Sequence, residues 1–216
     1  MAIKVCEIFY SIQGESTFSG LPCVFVRLSG CNLNCRWCDT LYAKRDDGTS
    51  MLIEDIVKNV DGFGCNLIEI TGGEPLIQQE TPLLADLLLS RGYKVLVETN
   101  GSVSLNVISD RCIRIVDIKC PSSGESKKNL LQNIDLLGKE DEIKFVIADR
   151  IDYEFAKSMI ANSSLNKLDP LRIHFSSVYG SIKLDELASW MLKDKIGARL
   201  SLQLHKIIWD PEKRGV

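Results

Sequence analysis

Cys31, Cys35 and Cys38 carry the strongest chemical signal in this sequence, spaced C-x3-C-x2-C within GCNLNCRWCDT. Thiolates are soft donors that suit iron–sulfur clusters or zinc. Structural zinc takes four ligands, commonly two C-x2-C pairs or cysteines joined by histidines. Here no second pair exists and the nearest histidine, His174, lies far downstream, although Cys6 and Cys23 remain distant candidates. Electron-transfer clusters also take four thiolates and leave every iron saturated. Three thiolates on a four-iron cluster leave one iron open to a substrate or cofactor, which is the catalytic arrangement.

Positioning such a loop needs a scaffold, and strand-like and helix-like runs alternate almost from end to end. The strand candidates are VCEIF, CVFVRLS, NLIEIT, KVLVET, RIVDIK, EIKFVIA, LRIHFSS and ARLSLQL. Several are continuous Val- and Ile-rich runs, the pattern of parallel strands covered on both faces. Between them, Leu83, Leu84, Leu87 and Leu88 share one helical face, as do Leu184, Leu187, Ala188, Met191 and Leu192. Gly92 stands where a helix C-terminal cap is expected. Repeated strand–helix units predict a parallel sheet with right-handed crossovers. About six units fall short of the eight that close a full barrel. The expectation is an α/β fold, a partial, open (β/α)6-type barrel forming a single domain over residues 1–216. In such folds chemistry gathers at the C-terminal strand ends. SGCNLNC, TGGEP, ETNG and DIKCP all fall there.

Bulk properties narrow the class. A formal net charge of -3 with mixed signs over 216 residues argues against a broad nucleic-acid surface. No apolar run approaches membrane-spanning length and MAIKVCEIFY lacks a signal-peptide core, so a cytoplasmic protein is expected. Eight cysteines would suit a disulfide framework only in a small secreted domain. Outside the cysteine loop, Cys6, Cys23, Cys65, Cys112 and Cys120 are expected mainly to pack as small hydrophobes.

CNLNCRWC resembles the signature of the radical S-adenosylmethionine superfamily. The resemblance implies a [4Fe-4S] cluster on Cys31, Cys35 and Cys38, with the open iron chelated by the amino and carboxylate groups of S-adenosylmethionine. It places Trp37 against the adenine, with Cys38 and Asp39 also at the cofactor. TGGEP, Thr71 to Pro75, is similar to the superfamily's second motif, in which Gly73 would meet the cofactor. Glycine there suits a main chain that a ligand approaches closely.

EIFYSIQGES and FVRLSGCN before the cysteines, DT after them and the ending QLHKIIWDPEKRGV together resemble the 7-carboxy-7-deazaguanine synthase family, from about Lys4 to the last residue. The resemblance implies conversion of 6-carboxy-5,6,7,8-tetrahydropterin to 7-carboxy-7-deazaguanine with loss of ammonia, in queuosine and other 7-deazapurine biosynthesis. It also implies an external electron donor of flavodoxin or ferredoxin type, a homodimer, and no direct nucleic-acid or membrane partner.

Ile12, Gln13 and Gly14 match the family's pterin-binding segment, the alternative being a plain hairpin turn. Glu15 could pair with the aminopyrimidine edge or stand solvated. Arg27 lies within an apolar strand, where a charge needs a partner. The substrate carboxylate suits it, and an ion pair with Glu7 or Glu69 is the rival. Thr40 matches the family's Mg2+ ligand, or else serves as a helix cap. Thr71 matches a substrate contact. Asp117, Ile118 and Lys119 align with a cofactor-binding strand end that in relatives often reads Ser-Pro-Lys, so main-chain contacts are the safer inference. Cys120 adjoins that pocket and could be exposed there. Phe175, Ser176, Ser177 and Val178 are placed at the cofactor by approximate register. ETNG, Glu98 to Gly101, is expected to line the pocket, with Glu98 alternatively tying strands together. His174 reads as structural, His205 as close to substrate, and the Val216 carboxylate as reaching the pterin unless the tail frays.

Two rivals differ in class. A glycyl-radical activase would share the cluster and GGEP but would not need SIQGE, the DT or the QLHKIIW tail. A zinc-stapled binding module conflicts with the acidic balance and the missing fourth ligand.

Overall fold

The apolar runs become strands of one nine-stranded sheet in the computed structural model, which describes residues 1–45 and 47–216. The strands are β1 (Ala2–Ile12), β2 (Pro22–Leu28), β3 (Thr49–Leu52), β4 (Leu67–Gly72), β5 (Lys94–Thr99), β6 (Ile113–Ile118), β7 (Glu142–Ile147), β8 (Ile173–Ser177) and β9 (Arg199–Ser201). Their order is β3-β1-β2-β4-β5-β6-β7-β8-β9. β1 pairs antiparallel with β2 and β3, whereas every pairing from β2 through β4 to β9 is parallel. The two edges, β3 and β9, stay apart, so the sheet is an open α/β half-barrel, as the sequence predicts.

The helices are α1 (Leu41–Arg45), α2 (Ile53–Asp61), α3 (Thr81–Ser90), α4 (Arg150–Asn162), α5 (Leu184–Asp194) and α6 (His205–Ile208). Strand–helix alternation is less regular than expected. The β5–β6 and β6–β7 connections hold only 3-10 turns. Gly101, Ser102 and Ser104 in the first, and Pro121 to Gly124 in the second, favour tight turns over helix. The predicted helical faces are also narrower. Leu84, Ala85 and Leu88 of α3 and Leu187 and Met191 of α5 are buried, whereas Leu83, Leu184 and Leu192 are exposed. Gly92 has φ +87°, and Tyr93 N donates to Leu88 O at 3.2 Å, closing α3 as expected.

Period-two alternation sorts each strand between two environments. Outward-facing Val24, Val26, Ile68, Ile70, Val95, Val97, Ile143 and Phe145 join the helices in the main core. Inside the half-barrel, Cys23, Phe25, Leu67, Leu96, Ile113 and Ile115 form a smaller apolar plug, with Phe9 stacked on Phe25 at 4.9 Å. Above the plug the inward positions turn polar: Arg27, Glu69, Thr71, Glu98, Asp117, Lys144 and His174. Burying that many charged groups is costly unless they are paired, so these positions mark the site.

Candidate active site

A cavity of about 390 Å³ opens at the C-terminal ends of the strands, within the range of small-molecule sites. It is lined by all three cysteines of the loop, Trp37, Asp39, Thr40, Thr71 and Gly73. Ile12, Gln13, Gly14, Glu15, Arg27, Asp117, Lys119, Ser177, Val178, His205 and Val216 line it too. The structure does not bring Ile118, Phe175 or Ser176 onto its wall. Ile118 and Phe175 alternate outward into the helical core, and Phe145 and Tyr153 meet the Phe175 ring edge-on. Ser176 is buried. Cys120 is on the wall but only 1% exposed, so its thiol is packed rather than open.

The cysteine loop leaves β2 at Gly30, whose φ of +90° turns the chain. Gly73 N donates to Leu28 O at 3.2 Å and Glu74 N to Gly30 O at 2.8 Å, laying TGGEP directly on the loop. A Cβ on Gly73 would lie 2.1 Å from Gly30 O, and one on Gly72 would lie 2.2 Å from Leu28 O. Close approach thus explains these glycines, but here the neighbour is the protein's own backbone. Glu74 is fully buried and accepts from Leu76 N (3.0 Å), Thr99 Oγ1 (2.8 Å) and Asn100 N (2.6 Å), locking the motif to the end of β5. Asn100 Nδ2 then reaches Asn32 Oδ1 at 3.1 Å and Cys31 Sγ at 3.8 Å. Lys44 Nζ donates to Leu33 O at 2.6 Å and Arg36 N to Ser123 O at 3.1 Å, holding the far side.

Three thiols held this way suit a polynuclear cluster. Desolvation pushes the Cys31 and Cys35 thiols up, so loading iron must displace their protons. Thr40 serves the turn that opens α1, its carbonyl accepting from Ala43 N at 2.9 Å, and its side chain lines the cavity 3.7 Å from Cys38 Sγ.

Most charged groups of the polar interior are paired. Arg27 donates through Nε to Glu7 at 2.9 Å, and Glu7 also accepts from Tyr42 Oη at 2.9 Å. The rival ion pair therefore exists, yet the same guanidinium lines the cavity. Glu69 accepts from Gln13 Nε2. Burial, with Glu98 nearby, pushes the Glu69 carboxyl well up, towards the neutral form. Lys144 Nζ bonds Glu15 at 2.9 Å and also Glu98, while Lys119 bonds Asp117 at 2.8 Å. Sequence reasoning passed over Lys144, named Glu69 only as a rival partner for Arg27, and quoted Gln203 only as part of the QLHK segment. For Lys144 the signal was present: a charge inside EIKFVIA, the same anomaly that marks Arg27.

The C-terminal tail closes the cavity. Leu204 N donates to Gly14 O at 3.0 Å, Gln203 Nε2 to Glu15 at 2.8 Å and Lys206 Nζ to Asp39 at 2.9 Å. His205 packs so tightly on Gly14 that a Cβ there would lie 2.3 Å from its Nδ1. Desolvation lowers the His205 pKa, favouring neutral imidazole. The Arg214 guanidinium lies 3.9 Å over Tyr42. His174, by contrast, bonds Ser201 Oγ at 2.7 Å and faces Glu142 at 2.8 Å within the sheet.

Comparison with known proteins agrees with this geometry. The radical SAM superfamily profile matches residues 25–117. The chain is similar to the 7-carboxy-7-deazaguanine synthase of Chlorobaculum tepidum, 45% identical over 99% of this chain and 97% of the relative. It is also similar to the enzyme of that name from Koribacter versatilis, 42% identical over 99% and 100%. Among solved structures it superposes on QueE from Escherichia coli with TM-score 0.74 and 25% identity, covering 94% of each chain. SuiB of Streptococcus suis bound to S-adenosylmethionine shares the fold, with TM-score 0.57 and 14% identity over 80% of this chain and 48% of that one.

Proposed function

Since the chain belongs to the 7-carboxy-7-deazaguanine synthase family, we propose that it converts 6-carboxy-5,6,7,8-tetrahydropterin to 7-carboxy-7-deazaguanine with loss of ammonia, as a carbon–nitrogen lyase. One observation carries this reading: a single cavity collects the cysteine loop, TGGEP, the SIQGE segment and the QLHK tail. The [4Fe-4S] cluster and S-adenosylmethionine of the superfamily supply the initiating radical when bound. Cys31, Cys35 and Cys38 would hold the cluster, and Trp37, Asp39, Gly73, Asp117 and Lys119, which line the same cavity, would meet the cofactor.

The protein's own work is placement and exclusion of water. Gln13 and Glu15 read the amino–amide edge of the pterin, with Ile12 and Gly14 giving main-chain contacts and Thr71 a hydroxyl. Arg27, held through Nε by Glu7, turns its guanidinium towards the substrate carboxylate. Thr40 would offer one oxygen to Mg2+, an ion that needs several further oxygens from substrate and water. The tail seats His205 and the Val216 carboxylate over the bound ring. The chain acts as one cytoplasmic catalytic domain, paired as a homodimer and reduced by a flavodoxin- or ferredoxin-type donor; no described helix is long and apolar enough to cross a membrane.

Anaerobic incubation of the reconstituted protein with the carboxytetrahydropterin, S-adenosylmethionine, Mg2+ and a reductant tests the reading. A deazapurine of the expected mass should accumulate. Cleavage of S-adenosylmethionine with no deazapurine, or radical transfer to a partner enzyme instead, overturns it.

A further inference from the structure

Lys144 stands at the centre of the polar interior, only 8% exposed, on a strand whose alternate residues Ile143, Phe145 and Ile147 are core. Its ammonium contacts Glu15 Oε2 at 2.9 Å and Glu98 Oε1 more closely, and stands 4.0 Å from Asp117 Oδ2. These carboxylates come from three different elements: the loop after β1, the end of β5 and the end of β6. The other cations nearby are already committed, Lys119 to Asp117 and Arg27 to Glu7.

Without Lys144, Glu15 and Glu98 would face each other across a desolvated cavity beside Asp117. Closely placed carboxylates cannot all stay ionised, and one takes up a proton. A protonated carboxyl presents an O–H where a carboxylate presents lone pairs. Lys144 prevents this, and it also spaces the two groups. Each oxygen is held: Glu15 Oε1 by Gln203 Nε2 at 2.8 Å, and Glu98 Oε2 by Thr71 Oγ1 at 3.3 Å. A carboxylate oxygen with one partner retains a further lone pair, and both residues line the cavity.

We infer that Lys144 is a specificity-determining positioning residue, which keeps Glu15 and Glu98 ionised and aimed so that together they accept N–H groups from the neutral amino–amide edge of a 2-aminopyrimidinone ring. The inference rests on the pterin reading above. It selects a ring with N–H donors over a cationic ligand, because the ammonium already offsets one carboxylate charge. The direction for Glu98 agrees: desolvation would raise its carboxyl, but Lys144 brings it below the ordinary range. The other titratable and charged groups around the trio are Glu69 on β4, Arg27 on β2, Asp117 and Lys119 at the end of β6, Asp39 beside the cysteine loop, and His205 and Lys206 on the tail. Lys144 hydrogen-bonds both Glu15 and Glu98, whereas Arg27 and Lys119 hydrogen-bond Glu7 and Asp117.

The test is anaerobic calorimetric titration of the reconstituted, S-adenosylmethionine-loaded protein with 6-carboxypterin, a redox-inert analogue carrying the same edge, between about pH 5.5 and 7.5, where an unperturbed carboxylate stays ionised. Wild-type affinity should be nearly flat. Lys144→Met should bind about tenfold or more weakly at the acid end, the equivalent of one hydrogen bond to a charged group, and recover as pH rises. Cluster content and S-adenosylmethionine affinity should be unchanged. Lys144→Arg should restore the flat profile. Should Lys144→Met not fold, Lys144→Met/Glu98→Gln removes one cation and one anion together; it should bind weakly but without pH dependence. A Lys144→Met protein with wild-type affinity, or one weakened equally at every pH, overturns the inference. If wild-type protein binds S-adenosylmethionine but not 6-carboxypterin, the pterin reading itself fails and takes this inference with it.

Discussion

Replacing Gly73 by Ala tests how the two cofactor motifs depend on each other. The added Cβ would lie 2.1 Å from Gly30 O, 2.6 Å from Gly30 C and 2.9 Å from Cys31 Cβ. Non-bonded contacts are favourable near about 3.5 Å, so the loops must separate by about 1 Å or more. Two of the atoms are backbone and no rotamer change relieves them. The separation strains the Glu74 N–Gly30 O and Gly73 N–Leu28 O bonds. Each such bond is worth about 0.5–1.5 kcal/mol, and overpacking adds about 1–3 kcal/mol. Because Cys31 adjoins Gly30, the displacement falls on one of the three cysteines proposed to hold the cluster. We expect a urea unfolding midpoint shifted by a destabilisation of about 2–6 kcal/mol, with lower iron and sulfide content after reconstitution and weaker S-adenosylmethionine binding. Wild-type iron content, cofactor affinity and stability together would refute the argument that these motifs are packed backbone to backbone.

Three further outcomes follow from other parts of the structure. Glu142 is buried, and although desolvation would raise its carboxyl, hydrogen bonds from His174 and Thr17 hold it below the ordinary value. Its contribution is therefore complete above about pH 4.3, the unfolded value, and is lost as pH falls through the lower folded pKa. Glu142→Gln should cost about 2–3 kcal/mol at neutral pH and flatten the acid limb of stability in urea titrations; an unchanged limb would contradict this. Extra residues after Val216 should impair turnover more than an N-terminal tag, since Val216 lines the cavity whereas Met1 is exposed; equal activities would remove the tail's proposed role. Thr40→Ala should blunt the stimulation of turnover by Mg2+, and an unaltered metal response would count against Thr40 as a ligand.

The sequence showed the strands well because alternating or continuous apolar runs report burial directly, and every predicted run became a strand. It showed the cysteine loop because ligand spacing is local. It overstated helix between β5 and β7, where turn-forming residues dominate. The outward turn of the Ile118 and Phe175 side chains was not legible, because register at a strand end fixes which neighbour faces inward and no motif marks that register. Lys144 was visible as a charge in an apolar strand, but its partners lie 129 and 46 residues away. No local pattern encodes pairing at that separation. Glu74 illustrates the converse: GGEP drew attention as a ligand motif, while its carboxylate is spent on Leu76, Thr99 and Asn100.

The central claim remains that Cys31, Cys35 and Cys38 hold a four-iron cluster with one iron open to the cofactor. Electron paramagnetic resonance of the anaerobically reconstituted, reduced protein, recorded before and after S-adenosylmethionine, tests it most directly. The account predicts a [4Fe-4S]+ signal whose g-values shift on addition, and which is lost when any one of the three cysteines is changed to alanine. A reduced cluster whose spectrum is indifferent to S-adenosylmethionine would contradict it.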